Sequence, residues 1–269
     1  MEPKIDINFR REILDVLNCS RRGHVASAFS IVEVIKVLYD EVLHYKANEP
    51  AWMDRDRFIL SKGHGCLALY VILAEKGFFP KEELRKFCAP EGILGGHPEY
   101  GKVPGVEFST GALGHGLPFG VGVALAGKID KKKYRTFVLL GDGECQEGSV
   151  WEAAMCASKH GLSNLTAIVD YNKRQAYGSI YEVQSIEPLK DKWESFNWAV
   201  KSIDGHNTDK IREAFHQLPF DNKKPSLIIS HTVKGKGITL LEKESLWHHK
   251  SRIKDEEMAE LFKDLAKER

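Results

Sequence analysis

One stretch constrains this chain more than any other: Phe137-Val138-Leu139-Leu140, then Gly141-Asp142-Gly143, a helix-length segment, Ala167-Ile168-Val169-Asp170, and Asn172. Short apolar runs bounded by turn residues read as strands buried on both faces, so the segment between them is the crossover of a βαβ unit. Asp142 and Asn172 then project from the carboxyl ends of nearby parallel strands, the edge where open α/β sheets bind ligands. A carboxylate and an amide oxygen are hard ligands suited to Mg²⁺ or Ca²⁺, and Mg²⁺ usually completes its shell with phosphate oxygens and water. The glycines let the backbone come close to a diphosphate. A Gly-Asp-Gly turn alone is common at strand ends; an Asn one crossover later gives it meaning.

The rest of the chain fits an α/β fold, a parallel sheet flanked by helices on both faces. Phe58-Ile59-Leu60 reads as a strand ending in a polar loop, and Leu227–Ser230 as another buried strand. Helices are expected over 7–22, 66–76, 81–87, 118–129, 150–160 and 208–217. Another runs through Ile31, Val34, Ile35, Leu38 and Val42 at helical spacing, with Ser30 and Glu33 as its capping box. A tail helix presents Met258, Leu261, Phe262 and Leu265 on one face. The stretch from Pro90 to Gly116 has little periodicity, and loops that long inside a compact domain are usually functional. With no repeat and no composition break, residues 1–269 are expected to form a single domain with a C-terminal helical tail.

Lys+Arg 39 against Asp+Glu 38 gives a net charge of +1, so no overall field favours nucleic acid or an anionic membrane. Five widely spaced cysteines without a C-x-x-C suggest neither a zinc site nor a disulfide framework. No stretch of about 18 apolar residues exists to span a membrane. The expectation is a soluble, cytoplasmic protein.

The segment GDGECQEGSVWEAA…AIVDYNK resembles the thiamine diphosphate motif in its transketolase version, and other stretches carry the same resemblance in the same order. They are Arg22-Gly23-His24-Val25, Leu60-Ser61-Lys62-Gly63-His64, Gly96-His97-Pro98-Glu99, PGVEFSTGALGHG over 104–116, Lys234-Gly235-Lys236-Gly237 and Trp247-His248. The resemblance covers about residues 8–250 and implies the diphosphate-binding domain of a transketolase, with a thiamin diphosphate-binding fold. It implies that Asp142, the Asn172 side chain and the backbone carbonyl of Arg174 hold the metal, Mg²⁺ or in its place Ca²⁺ or Mn²⁺. Gly143, His64, Lys234 and His248 would contact the diphosphate, with Ser27 nearby, and Gly111, Ala112 and Leu113 would meet the aminopyrimidine. His24, His64, His97 and His248 would line the channel to the reactive carbon. Glu147 would belong to a carboxylate network at the subunit interface, and Glu152 would support the metal loop. Moving a two-carbon ketol unit needs a proton taken from a sugar hydroxyl and later returned, which suits imidazole. The thiamine carbon serves as nucleophile and electron sink, leaving the protein to position groups, donate hydrogen bonds and exclude water.

In the same family the Glu that activates the aminopyrimidine, and the residues gripping the sugar phosphate, lie in a pyrimidine-binding domain that no part of this sequence matches. The resemblance therefore implies a split enzyme. Its partner would be a C-terminal transketolase subunit carrying the pyrimidine-binding and C-terminal domains, in an α2β2 assembly, acting on sugars or sugar phosphates as in the pentose phosphate pathway. Departures from the pattern bear on the donor. Val25-Ala26 replace Pro-Gly, Arg174 and Gln175 replace apolar and threonine-type residues, and His115 stands where Gln is common; His249, in place of the usual Gly after the motif histidine, is given no role. His44, His160, His206, His216 and His231 are expected to be structural, and Trp151 and Trp247 to be packing residues. Deoxyxylulose phosphate synthase and the 2-oxo acid dehydrogenase α subunit share the Gly-Asp-Gly…Asn pattern. A non-catalytic regulatory module on the same fold is a further alternative.

Overall fold

The computed structural model describes residues 6–244 and 247–268. Its centre is a five-stranded, all-parallel sheet in the order β1-β2-β3-β5-β4. The strands are β1 (Arg57–Leu60), β2 (Thr136–Gly141), β3 (Leu165–Tyr171), β4 (Ala199–Asp204) and β5 (Ser226–His231). Side chains alternate between two hydrophobic layers, as the period of a strand requires. Phe58, Leu60, Phe137, Leu139, Ile168 and Ile228 face one layer. Ile59, Val138, Leu140, Ala167, Val169, Leu227 and Ile229 face the other.

The first layer is covered by α1 (Ile7–Ser20), α2 (Val25–Phe29), α3 (Val32–Val37), α4 (Cys66–Glu75), α9 (Thr208–His216) and α11 (Asp255–Leu265). All of α4 except Glu75 is buried, so its sequence, CLALYVILAE, is apolar all round, as a helix packed on every side must be. The second layer is covered by α5 (Gly116–Ile129), α6 (Gly148–Lys159) and α8 (Leu189–Ser195). Gly120 lets α5 lie against β2: a Cβ there would sit 2.5 Å from Val138 Cγ2. Short helices α7 (Ile180–Val183) and α10 (Thr239–Lys243) follow β3 and β5.

Four expectations need correction. The helix expected from Ile31 is interrupted: α3 ends at Val37 and a π-helical turn, Leu38–Val42, continues it. Ser30 and Glu33 do not form a capping box, because each is drawn into a stronger buried contact. Ser30 Oγ donates to Asp170 at 2.7 Å, and Glu33 pairs with Arg10 at 2.6 Å and with His206 at 2.9 Å. The segment 81–87 is a 3₁₀ helix over Lys81–Lys86, and β4 lies where no strand was expected. No described helix is long and apolar enough to cross a membrane.

Candidate functional site

Parallel strands deliver their carboxyl ends to one edge of the sheet. That edge carries Lys62 and His64 after β1, Asp142 and Gly143 after β2, Asn172 and Arg174 after β3, and Lys234 after β5. His24 precedes α2, His97 comes from the long loop, and His248 follows α10. The imidazoles converge. His24 has ring centroids at 5.5 Å from His64, 6.0 Å from His97 and 5.3 Å from His248, and His64 lies 5.6 Å from His248. Residues spread over 225 positions of sequence thus meet in one pocket.

The hydrogen bonds fix the proton positions. His24 Nδ1 lies 2.9 Å from the His248 carbonyl and can only donate to it, which leaves Nε2 as an acceptor. Lys234 Nζ donates to His248 Nδ1 at 2.6 Å, so His248 presents its Nε2–H as a donor. Burial pushes the His24 imidazole down to about 4, with His249 adding to it. Burial and then Lys234 push His248 down to about 3. His64 is lowered by burial and Lys62, and His97 by burial and His249. Lys234 falls to about 8 through burial and the neighbouring Lys62. The pocket therefore holds neutral imidazoles beside two buried ammonium groups.

Three buried carboxylates brace this edge. Asp170 accepts from Lys62 Nζ at 2.5 Å, Ser30 Oγ at 2.7 Å, Asn172 Nδ2 at 2.9 Å and Thr232 Oγ1. Burial raises its carboxyl, but Lys62 outweighs this and holds it below the usual range. Glu144 accepts from the backbone N–H groups of Gly114 at 2.9 Å and Gly141 at 3.0 Å, and from Ser61 Oγ. Asp142 accepts from Gly143 N at 2.7 Å and from Lys173 N at 2.5 Å. Burial, with Asp170 close by, pushes its carboxyl up to about 7. Asn172 Oδ1 accepts from Arg174 N at 3.0 Å, and the Arg174 carbonyl accepts from Lys234 Nζ at 3.2 Å. Ser27 is buried, and its Oγ has no hydrogen-bond partner among the described residues.

Gly111 takes φ +146, and a Cβ on it would press on the His97 ring at 3.2 Å. Gly111 and Ala112 are exposed and Leu113 half-buried. Glu147 is exposed at the start of α6, and Glu152 is exposed on the same helix. Glu152 forms no hydrogen bond to the Asn172 loop among the described residues; Asp142, Asp170 and Lys234 hold that loop instead. His206 is structural as expected, and so is Trp247, which is buried.

Sequence reasoning missed Lys62, Ser61, Glu144 and Asp170. The signal was there for Asp170, since a charge at the end of the apolar run Ala167-Ile168-Val169 must find a partner. It also missed His249, whose ring lies 4.5 Å from His24. The two flank a two-residue antiparallel ladder, in which Gly23 N donates to the Lys250 carbonyl at 2.9 Å and Lys250 N to the Gly23 carbonyl at 3.2 Å.

A parallel α/β sheet with hard oxygen donors and buried ammonium groups at its carboxyl edge defines a cofactor-binding domain of the diphosphate-holding kind. The comparisons with known proteins give the family. Residues 5–268 match the family described as transketolase, thiamine diphosphate binding domain, and the chain belongs to it. It is 43% identical over 240 residues to one subunit of an apulose-4-phosphate transketolase from Phocaeicola vulgatus, covering 89% of this chain and 85% of that one. It is 40% identical over 272 residues to a 6-deoxy-6-sulfo-D-fructose transketolase subunit of Clostridium sp., covering 99% and 98%. The crystal structure of transketolase from Campylobacter jejuni superposes with a TM-score of 0.90 at 29% identity, over 98% of this chain. This chain spans only 42% of that transketolase's length.

Proposed function

We propose that this chain is the diphosphate-binding subunit of a split transketolase, complete only with a pyrimidine-binding partner, and that it moves a two-carbon ketol unit between sugars. The observation that carries this reading is the convergence of His24, His64, His97 and His248 beside Lys234. The subunit reading is supported by relatives named as transketolase subunits, of which the chain covers 85% and 98%.

The residues present suit the cofactor. Buried Lys234 with several imidazoles around it favours an anionic group such as a diphosphate. Asp142, a buried carboxylate pushed up to about 7, favours a cation. A Cβ on Gly143 would sit 2.9 Å from the Gln175 side chain, so glycine lets that side chain lie against the backbone there, and Ser27 Oγ has no hydrogen-bond partner among the described residues. In this reading Asp142, Asn172 and the Arg174 carbonyl hold Mg²⁺, with Ca²⁺ or Mn²⁺ able to substitute. Lys234, His64, His248 and Gly143 hold the diphosphate, and Gly111, Ala112 and Leu113 border the aminopyrimidine. Thiamine diphosphate supplies the nucleophilic carbon and the electron sink.

The chain's own residues manage protons and water. His24, neutral with a free Nε2, accepts a proton from a sugar hydroxyl. His248, locked by Lys234 with its Nε2–H forward, donates to a developing oxyanion. His64 and His97 complete the wall. Glu147, exposed beside Gly114, is placed to join a carboxylate network across the subunit interface, in an α2β2 complex. The relatives act, by their names, on ketoses bearing a phosphate or sulfonate. A specialised ketose of that kind is the donor proposed here, in preference to the pentose phosphates.

Reconstitution with the partner subunit, thiamine diphosphate and Mg²⁺ tests this. Ketol transfer should appear in the complex and be absent from this chain alone. Transfer by the chain alone would sink the split-enzyme reading, and a fully loaded complex inert on every ketose would sink the transferase reading.

A further inference from the structure

The loop after β3 folds back over the end of β2. Lys173 takes φ +64, and its N–H donates to Asp142 at 2.5 Å. Gln175 N donates to the Gly178 carbonyl at 2.8 Å, and Arg174 pairs with Ser179 as an isolated antiparallel bridge, so residues 174–179 close on themselves. This turn lays the Gln175 side chain on Gly143: a Cβ built there would sit 2.9 Å from Gln175 Cγ and Cδ and 3.2 Å from its Nε2. Nε2 is buried and has no hydrogen-bond partner among the described residues. A buried amide donor without an acceptor weakens a fold, and native structures keep few of them. The oxygens of this edge are already engaged. Asp142 accepts from Gly143 N and Lys173 N, Asn172 Oδ1 from Arg174 N, and the Arg174 carbonyl from Lys234 Nζ.

From this geometry we infer that Gln175 is a cofactor ligand: its Nε2 donates to an oxygen of the diphosphate of thiamine diphosphate. The inference rests on the cofactor reading above and adds to it a neutral donor from the loop that follows the metal asparagine. Gln175 stands where the family pattern has a threonine-type residue, so this contact is a property of this chain. An amide suits the place, because it donates to a phosphate oxygen without adding a third buried cation beside Lys62 and Lys234. Without an acceptor the amide weakens the fold; with a phosphate oxygen it strengthens binding. Removing it therefore acts with opposite signs on the stability of the cofactor-free protein and on cofactor affinity, which a packing residue does not do.

The test uses the complex with the partner subunit and needs no turnover. Gln175→Met keeps the length of the side chain and removes the donor. Its cofactor-free complex should melt no lower than wild type, while calorimetry in Mg²⁺ should show thiamine diphosphate bound about tenfold more weakly, the loss of a hydrogen bond to a charged group. Gln175→Glu keeps the shape but sets an anion against the diphosphate, and should lose more than Gln175→Met. Inorganic diphosphate, competing with thiamine diphosphate, should weaken in Gln175→Met by the same factor as the cofactor. Affinity for thiamine diphosphate within about twofold of wild type in Gln175→Met overturns the inference, whatever the melting point. So does a variant that loses the cofactor yet holds inorganic diphosphate as wild type does, since Gln175 would then meet the organic part. A wild-type complex that binds the cofactor but transfers no ketol unit defeats the transferase reading alone; one that binds no cofactor overturns both.

Discussion

Lys234 Nζ lies 2.6 Å from His248 Nδ1 and donates to it, joining the loop after β5 to the segment after α10. One ammonium therefore serves two ends: it sets the His248 tautomer and contacts the Arg174 carbonyl at 3.2 Å. Replacing it with Met removes the charge and frees the imidazole to reorient. Lys234→Met should weaken thiamine diphosphate binding by about 10- to 100-fold, the loss of a hydrogen bond to a charged group. Calorimetry on the complex with its partner checks this, and a change below about threefold would show that Lys234 does not meet the diphosphate.

His64 follows β1 two residues after Lys62, and burial with the charge of Lys62 holds its imidazole well below the usual range. His64→Ala in the assembled enzyme should lower turnover by about 10²- to 10⁴-fold, the usual worth of a positioned proton-transfer group. Turnover equal to wild type in a steady-state assay would end the catalytic reading of this pocket.

Away from the pocket, Arg10, Glu33 and His206 form a buried chain that ends at Val233 N, which donates to His206 Nε2 at 2.8 Å. Burial raises the Glu33 carboxyl, but His206 and Arg10 outweigh it and hold it at about 2, against its ordinary 4.5. Because the folded value is the lower one, ionised Glu33 stabilises the fold above about pH 4.5, and that contribution disappears as the pH falls towards 2. It amounts to about 3 kcal/mol. Urea unfolding should show wild type and Glu33→Gln converging between pH 4.5 and 2, and parallel curves through that window would contradict the assignment.

The α5–β2 contact leaves no space for one more methyl group. Gly120→Ala would bring a Cβ to 2.5 Å from Val138 Cγ2, and overpacking of this kind costs about 1–3 kcal/mol. Thermal melting of the variant should show a clear drop. Gly122→Ala, four residues from Ala126 on the open side with nothing within 4 Å of its Cβ position, should show none.

Strands β1, β2, β3 and β5 were legible because each is a short apolar run, the mark of a strand covered on both faces. Edge strand β4 was not: Ala199-Val200-Lys201-Ser202-Ile203-Asp204 is half-exposed and carries little hydrophobic signal. At the site, Asp142, Asn172 and the four histidines stood out through motifs local in sequence. Asp170 and Lys62 did not, since their pairing spans 108 positions and only the fold brings β1 and β3 to the same edge. His249 was passed over because its neighbour His248 occupied the motif position, whereas the ladder at Gly23 decides which side chains reach the pocket. Ser30 and Glu33 show the reverse error: spacing suggested a local cap, and long-range charge pairing prevailed.

The Gly23–Lys250 ladder also dates the pocket. A ribosome that has released the chain as far as His231 has supplied every strand of the sheet, and domains of this size fold as their segments emerge. The wall containing His248 and His249 is still unmade at that point, so the nascent scaffold is competent to fold before it is competent to bind. In the proposed reading, cofactor capture therefore waits until the ladder clasps the early histidine to the late ones.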